Sequence, residues 1–399
     1  MLLGPNEIFP VIPHIEYLYR IRYDLPMTSV CFICLNAYKV FNSSSAAQIG
    51  GTEVQMGVIA QELAKDTQFD VSCVVGNFGQ AKREQYGNLM VYSSFPLTTN
   101  IINVIKAPLL LLRLLVSIRP NIIISSPAGS EVGIACLYAH LFGKKFIFRT
   151  ASDVDCNRKK AKNMNIFTRM LYEFGIRFAD QIVVQHEGQR SDIQKYYGRD
   201  STMIQNGYAT PVPTVTTAFE TPSSSILWVG SSRHVKRPDL LFTLARSLPQ
   251  YRFTMILSRS GDMGIFRWSE EMARSISNID FLGELSFNDV RARIANSTLV
   301  IGTSDYEGFP NIYVLAALSG VPVVSLRVNP DEYLTTHKAG VCVDGDMKTM
   351  RSEIIHYMED STYRSVISQN ALLYASMQYT IESIIPRWIS VIHTTSYSE

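Results

Sequence analysis

The sequence has no strong excess of either charge sign, since 37 Lys and Arg residues stand against 35 Asp and Glu residues, and 37 − 35 gives +2. A dedicated nucleic-acid binder needs a large basic excess, so no nucleic-acid partner is predicted. Charged residues make up only 18% of the chain and apolar residues 46%, which excludes wholesale disorder. At about 100–200 residues per domain, the 399 residues predict two domains.

Long apolar runs and a targeting segment are also missing. The most lipid-like stretch, 107–118, contains Arg113 and is shorter than the roughly 20 residues that cross a bilayer. Residues 1–7 have neither the charged region nor the apolar region of a signal peptide. We therefore expect a cytoplasmic protein.

The six cysteines include one CxxC pair, Cys31 and Cys34, which invites a metal or redox interpretation. The sequence has no second CxxC, and the surrounding residues predict a buried strand. Residues three apart in a strand point to opposite faces. We therefore expect two buried thiols.

Strand-like and helix-like segments alternate along the chain, which predicts parallel sheets covered on both faces, an α/β fold. The predicted strands are 29–36, 70–75, 121–125, 145–150, 180–185, 202–205, 226–230, 251–257, 279–282, 299–302, 321–325 and 340–343. The predicted helices are 51–65, 101–118, 129–142, 167–178, 189–197, 238–247, 311–318, helices from about 348 to 377, and 380 to about 393.

The rhythm is interrupted by a stretch rich in Pro, Thr and Ser, which we interpret as a hinge at 208–225. We expect a first doubly wound domain at 1–207, whose extension 1–28 packs on it, and a second at 226–378. A last helix within 379–399 is expected to pack back on the first domain. The two Rossmann-like domains would face a central cleft, and ligands of such sheets bind beyond the carboxyl ends of the strands.

Three loops that follow strands carry candidate chemistry. Gly50 and Gly51 open a helix whose N–H groups suit a phosphate, although paired glycines are also ordinary turn chemistry. The turn 231–237 carries Arg233, Lys236 and Arg237, which suit a diphosphate but equally a solvated basic loop. Glu307 precedes a Gly-Phe-Pro-Asn turn at 308–311 that opens a further helix, with an exposed loop acid as the alternative.

Together these segments resemble glycosyltransferase family 4 (glycosyl transferases group 1), retaining enzymes of the GT-B fold. The resemblance extends from about residue 29 to the last helix. It rests on the motifs at 50–53 (GGTE), 206–207 (NG), 228–230 (WVG), 236–239 (KRPD), 307–311 (EGFPN) and 320–324 (GVPVV).

The resemblance implies a set of site residues. Lys236 matches the lysine that pairs with the donor diphosphate, and Glu307 matches the first acid of a paired-Glu motif that faces the donor sugar. The catalytic residues would be Glu307, Lys236, Arg233 and Asp153. The donor-binding residues would be Gly50, Gly51, Thr52, Gly230, Gly308, Phe309, Pro310, Asn311 and Leu315.

Three positions depart from the family's pattern. Ser231 occupies the usual place of an arginine, for which Arg233 is a substitute, and Leu315 occupies that of the second acid, which holds the ribose hydroxyls. The family's histidine near the donor sugar is absent, and Asp153 is the candidate to replace it. His186, at the end of a strand, is a further cleft candidate, although a lone histidine is more often structural.

The sequence thus predicts a hexosyltransferase that uses a nucleotide-diphosphate-sugar donor and a saccharide or lipid-linked acceptor, in cell-surface polysaccharide or glycolipid synthesis. No metal or other cofactor is expected. The alternatives are a nucleotide-sugar epimerase of the same architecture and a catalytically lapsed nucleotide-sugar-binding protein. A basic loop, formed by Arg158, Lys159, Lys160 and Lys162, suits peripheral contact with the inner face of an anionic membrane, with a solvated loop as the alternative.

Overall fold

The computed structural model describes residues 27–42, 45, 50–97, 101–126, 129–209 and 225–397. The extension 1–28 that the sequence analysis separates lies outside the described residues except for its last two. The predicted hinge 208–225 is described only at 208, 209 and 225.

The described part of the first half contains an eight-stranded sheet in the order β3-β4-β2-β1-β5-β6-β7-β8. Neighbouring strands run parallel except for the antiparallel pair of β3 and β4. The strands are β1 (Thr28–Ile33), β2 (Phe69–Asn77), β3 (Arg83–Tyr86), β4 (Leu89–Pro96), β5 (Ile122–Ser125), β6 (Lys145–Arg149), β7 (Gln181–Val184) and β8 (Thr202–Met203).

The described part of the second half contains a six-stranded sheet in the order β11-β10-β9-β12-β13-β14, with every pair parallel. The strands are β9 (Ser225–Ser231), β10 (Arg252–Ser258), β11 (Ile279–Gly283), β12 (Leu299–Gly302), β13 (Val323–Ser325) and β14 (Gly340–Cys342). In both sheets the strand order reverses beside the first strand, so each is doubly wound and offers a crevice there.

Helices connect these strands. In the first half they are α1 (Tyr38–Phe41), α2 (Gly51–Leu63), α3 (Ile101–Ile118), α4 (Ser130–Leu141), α5 (Asp153–Cys156), α6 (Lys159–Lys162), α7 (Ile166–Phe178) and α8 (Glu187–Tyr197). In the second half they are α9 (Pro238–Ser247), α10 (Met263–Arg274), α11 (Phe287–Ala295), α12 (Asn311–Leu318), α13 (Tyr333–Thr336), α14 (Met347–Glu359), α15 (Ser361–Gln378) and α16 (Ile381–Tyr397). Short 3₁₀ turns lie at His234–Lys236 and Pro330–Glu332. Across the described ranges, none of the helices has the length and apolar character that crossing a membrane requires.

Several elements are absent from the sequence prediction. The hairpin of β3 and β4 and the helices α10 and α11 form in segments where no element is predicted. Helix caps support α10 and α11, because the Asp262 carboxylate accepts from the N–H of Gly264 and the Ser286 hydroxyl from that of Asp289. Asp360 caps α15 in the same way at the N–H of Tyr363, at the break between α14 and α15.

The expectation of two buried thiols at the CxxC is confirmed. Cys31 and Cys34 are fully buried on opposite faces of the first sheet, in two different core clusters. Burial raises the pKa of the Cys31 thiol to about 12, so the thiol is protonated at neutral pH. Neither cysteine is therefore placed for metal or redox chemistry.

The chain crosses between the halves at two adjacent places. The Tyr208 N–H donates to the Tyr379 carbonyl, and the Ile381 N–H donates to the Tyr208 carbonyl. After the second crossing, α16 packs Ile384, Trp388 and Ile392 into the core of the first domain. The C-terminal helix thus belongs structurally to the first domain.

Candidate functional site

A cavity of about 620 Å³ lies between the two sheets, beyond the carboxyl ends of their strands. The structure brings to its wall Glu307, Lys236 and Arg233, together with every residue that the sequence analysis assigns to donor binding. Those are Gly50, Gly51, Thr52, Gly230, Gly308, Phe309, Pro310, Asn311 and Leu315. The cavity therefore collects residues from loops far apart in the chain.

The first-domain wall is built on the beginning of α2. Glu53, in the first turn, accepts a hydrogen bond from the N–H of Gly50, which fixes the loop before the helix. Burial raises the pKa of this carboxyl. A β-carbon on Gly51 would overlap the side-chain amide of Asn311, so glycine leaves room there for this side chain of the second domain. The N-terminus of α2 consequently faces the second domain directly, where its free N–H groups can bind an anion.

The second-domain wall carries a largely buried ion pair between Lys236 and Glu307. Their side chains are 15% and 18% exposed, and the Ser304 hydroxyl donates to Glu307 Oε1 at 2.7 Å. Burial alone would raise the pKa of Glu307, but the Lys236 ammonium and the hydrogen bonds from Lys236 and Ser304 hold this pKa below its usual value. Glu307 is therefore an ionised acid inside the cleft and not an exposed loop residue.

The loop that carries Lys236 is tied to the domain core. The Thr303 hydroxyl donates to the Lys236 carbonyl at 2.7 Å and accepts from the indole N–H of Trp228 at 2.8 Å. Trp228 is fully buried. The backbone of Lys236 is thus held rigidly at the cavity, while its side chain reaches across to Glu307.

The other two cations of this loop have different surroundings. Arg233 lines the cavity and donates from Nε to the Ser231 hydroxyl at 2.9 Å. Its charge also contributes to lowering the pKa of Glu307. Arg237 is instead engaged by Asp239 at 2.7 Å and Asp305 at 3.3 Å and is not among the lining residues. Only part of the basic turn therefore serves the cavity.

The turn before α12 lies against the first domain. A β-carbon on Gly308 would lie 2.8 Å from the Cα of Ser152, and Asn206 donates to Asn311 Oδ1 at 2.6 Å. Phe309 is nearly buried and packs edge-on against Tyr379, with ring centroids 5.5 Å apart. The beginning of α12 thus faces the cavity with the two domains in contact on either side of it.

Leu315 lines the cavity and is also part of the apolar core, with 2% of its surface exposed. The nearby wall is apolar as well, with Val229, Ile256, Leu285 and Val290. Among the described lining residues the carboxylates are Glu53 and Glu307. Glu53 already accepts from the N–H of Gly50 at the beginning of α2, and Glu307 already pairs with Lys236. None of the described acids stands in for the family's second carboxylate at this wall.

The structure does not place Asp153 on the cavity wall, where its neighbours Ala151 and Ser152 lie. Its carboxylate instead accepts from His186 Nε2 at 2.8 Å and from Gln189 Nε2 at 3.1 Å. His186 is buried, at 8% exposure. Asp153 and His186, two separate predictions, are therefore partners in one hydrogen-bonded cluster beside the cleft.

The basic loop does not form a uniform surface. Arg158 pairs with Glu173 at 2.9 Å, and Lys160 pairs with Asp155 at 3.3 Å and also lines the cavity. Lys159 and Lys162 are exposed. The membrane prediction therefore applies to two of the four cations.

Arg149 and Gln185 are among the cavity residues that have no role in the sequence analysis. Arg149 is the last residue of β6 and Gln185 directly follows β7, each after three apolar residues. That position is the available signal, because a polar residue at the carboxyl end of a buried strand points to the ligand edge of the sheet.

The comparisons with known proteins agree with this architecture. A sucrose-phosphate synthase from Thermosynechococcus elongatus superposes with a TM-score of 0.75 at 13% identity, covering 92% of this chain and 98% of that one. The catalytic domain of starch synthase IV from Arabidopsis thaliana, bound to ADP and acarbose, gives 0.70 at 11% identity and covers 94% and 100%. WaaG, a glycosyltransferase involved in lipopolysaccharide biosynthesis, gives 0.66 at 16% and covers 91% and 99%.

These likenesses confirm the predicted fold class, a two-domain Rossmann-like GT-B fold. No curated protein sequence matches the chain. Residues 223–360 match the family described as glycosyl transferases group 1. The second domain, which carries Lys236 and Glu307, thus has the sequence signature of that glycosyltransferase family, as the motifs predict.

Proposed function

We propose that the protein is a retaining glycosyltransferase of the hexosyltransferase type. It moves a sugar from a nucleotide-diphosphate-sugar donor to a saccharide or lipid-linked acceptor, in cell-surface polysaccharide or glycolipid synthesis. The observation that carries the proposal is the largely buried pair of Lys236 and Glu307, which lines the same cavity as the N-terminus of α2. The family match of the second domain supports it.

The chemical difficulty of this reaction is the departure of the nucleotide diphosphate. Negative charge grows on the leaving phosphate while positive charge grows at the anomeric carbon, so preorganised donors near the phosphate lower the barrier. Lys236 and Arg233 supply cations from the second domain. The N-termini of α2 and α12 supply free N–H groups and the positive ends of their helix dipoles.

Glu307 has a separate role in this proposal. As an ionised carboxylate at the cavity wall, it accepts hydrogen bonds from hydroxyl groups of the donor sugar and orients the ring. Its pairing with Lys236 keeps both side chains in place before the donor binds. Closure of the two domains around the donor excludes water and limits hydrolysis.

We propose that the reaction needs no metal, because the two cations and the helix N-termini neutralise the diphosphate. In the described ranges, no group of three or more His, Cys, Asp or Glu side chains is arranged to hold a metal ion. Metal independence therefore predicts that transfer continues in the presence of a chelator.

We propose further that the acceptor side contacts an anionic membrane surface. Lys159 and Lys162 are exposed, and the adjacent beginning of α7 exposes Ile166, Phe167 and Met170 at 72%, 60% and 65%. Exposed cations beside exposed apolar side chains are the composition of a peripheral membrane contact.

Product analysis with a panel of nucleotide sugars tests the function and its alternatives. Transfer with retained anomeric configuration, read by NMR, supports the proposal. Formation of an epimer would indicate the epimerase, and binding without turnover would indicate the lapsed enzyme. An epimerase also calls for additional free acids in the cleft, whereas Glu53 and Glu307 are both engaged.

A further inference from the structure

Arg149 is a buried cation whose charge no described residue balances. It is the last residue of β6 and is 1% exposed. Its Nη2 donates to Asn206 Oδ1, and its Nε has no hydrogen-bond partner. None of the ion pairs among the described residues includes it.

An arrangement of this kind is unfavourable in the empty protein. A guanidinium has five N–H donors, and a buried charge without a partner loses its hydration without compensation. Burial lowers the pKa of Arg149 to about 10, so it still carries its charge at neutral pH. Because Arg149 lines the cavity, a ligand can supply the missing anion.

The donor diphosphate is an unsuitable partner for this charge. In the proposed function that group is held by Lys236 and Arg233 and by the N-termini of α2 and α12, whereas Arg149 is the last residue of β6. Asn206 lies between Arg149 and the beginning of α12, since it accepts from Arg149 and donates to Asn311. Arg149 therefore addresses a different part of the bound substrates.

We propose that Arg149 binds an oxyanion on the sugar being transferred or on the acceptor, a carboxylate or a phosphate separate from the donor diphosphate. A carboxylate or phosphate matches the planar fork of a guanidinium, with two parallel hydrogen bonds. The inference rests on the proposed function for the identity of its substrates as sugars. It adds that one of them is anionic.

The first experiment needs no nucleotide. In the Lys236→Ala background, which weakens the second-domain anion site, inorganic phosphate is titrated calorimetrically into the protein with and without Arg149→Met. We expect one phosphate site that weakens at least tenfold when Arg149 is replaced by Met. Phosphate binding that is absent from both proteins, or unchanged by the substitution, overturns the proposal.

The second experiment identifies the source of the anion. Affinities are compared within two donor pairs that differ by one carboxylate, UDP-glucuronate with UDP-glucose and GDP-mannuronate with GDP-mannose. A preference for the uronate of at least tenfold that Arg149→Met removes assigns the anion to the transferred sugar. If the uronate is not preferred, but nucleotide-saturated protein still binds phosphate and needs Arg149 to do so, the anion is assigned to the acceptor.

Two controls separate this proposal from other roles. A loss of UDP or GDP affinity in Arg149→Met as large as that in Lys236→Ala would place Arg149 at the diphosphate and overturn the inference. Arg149→Lys keeps the positive charge but lacks the two parallel N–H donors of the guanidinium. This variant tests the proposal if Arg149→Met does not fold. It is expected to bind phosphate more weakly than the parent, and undiminished binding contradicts the proposal. If no nucleotide sugar binds but phosphate binding still requires Arg149, the proposed function is wrong, whereas the anion site at Arg149 is supported.

Discussion

At the residue scale, Lys236 is the side chain on which the proposed chemistry depends most. It is anchored through its backbone to Thr303 and through its ammonium to Glu307, so its position is defined before a ligand arrives. Because it lies in a 3₁₀ turn and not in an apolar core cluster, shortening it opens no cavity in the core.

Lys236→Ala is expected to lower turnover by about 10²–10³, the usual loss for one preorganised donor at a leaving group. Nucleotide release under saturating donor measures this, with thermal melting as the check on folding. Lys65→Ala is the matched control, since Lys65 is 70% exposed and pairs only with Glu62 among the described acids. If Lys236→Ala keeps more than about half the parent turnover and its melting temperature is unchanged, Lys236 does not act on the leaving phosphate.

Leu315 leads to a prediction about the donor's ribose. An acid there would accept charged hydrogen bonds worth about 1.5–3 kcal/mol each, and a leucine accepts none. Donors that differ only in ribose or 2′-deoxyribose are therefore expected to be used within about threefold of each other. Competition kinetics with UDP- and dUDP-linked forms of one sugar measures the ratio. Discrimination above about thirtyfold, roughly 2 kcal/mol, would show that another group holds the diol.

Chelation tests the part played by Lys236 and Arg233 in place of a metal. Since two cations and two helix N-termini face the proposed diphosphate position, transfer is expected to continue in EDTA at close to its untreated rate. The rate is measured before and after treatment and again after Mg²⁺ or Mn²⁺ is added. Complete loss in EDTA with recovery on metal addition would refute metal independence.

At the element scale, the beginning of α7 and the exposed lysines before it form the proposed membrane contact. Each exposed cation near an anionic surface contributes about 1 kcal/mol, so replacing Lys159 and Lys162 by Ala is expected to weaken liposome binding about thirtyfold at low salt. Co-sedimentation with phosphatidylserine vesicles measures this, with the exposed pair Lys65→Ala and Lys348→Ala as control. Liposome binding that changes neither with salt nor with the substitution of Lys159 and Lys162 would contradict an electrostatic membrane contact at these lysines.

Some helices and strands could be predicted from the sequence alone, and others could not. The parallel strands and α12 follow from continuous apolar runs and from turn residues at their ends, so the doubly wound class could be predicted. In the β3–β4 hairpin, β3 consists of exposed and half-exposed residues and gives no apolar signal, whereas β4 begins with alternating buried and half-buried residues, a period of two that the sequence prediction does not use. For α10 and α11 the signals were present in the caps, Asp262 and Ser286, but those residue types are equally typical of loops.

The same limit applies to the site. Residues after strands, such as Lys236 and Glu307, could be placed at the cleft because the sheet edge is predictable from topology. The ion pair between them is a tertiary contact over 71 positions and could not be predicted from spacing. Likewise, the contact of Asp153 with His186 could not be foreseen from either residue alone.

At the scale of the whole molecule, Gly51 of the first domain lies directly against Asn311 of the second. The β-carbon of an alanine at position 51 would overlap the Asn311 side-chain amide, so this side chain has to move and give up the hydrogen bond that it accepts from Asn206. Gly51→Ala is therefore expected to weaken the contact between the domains and to lower the thermal melting temperature. Asn311→Ala loses the same hydrogen bond, so adding Gly51→Ala to it should change the melting temperature little further. A melting temperature of Gly51→Ala equal to that of the parent would contradict this description of the closed cleft.

In the proposed function, the cleft binds a nucleotide-diphosphate sugar and releases its nucleotide. The most direct test is nucleotide release by the purified protein across a panel of UDP-, dTDP-, GDP- and ADP-linked sugars, for the parent and for Lys236→Ala. We expect release from at least one donor, at a slow rate without acceptor and at a rate about 10²–10³ lower in the variant. Release from none of the donors, or release that Lys236→Ala leaves unchanged, would contradict it.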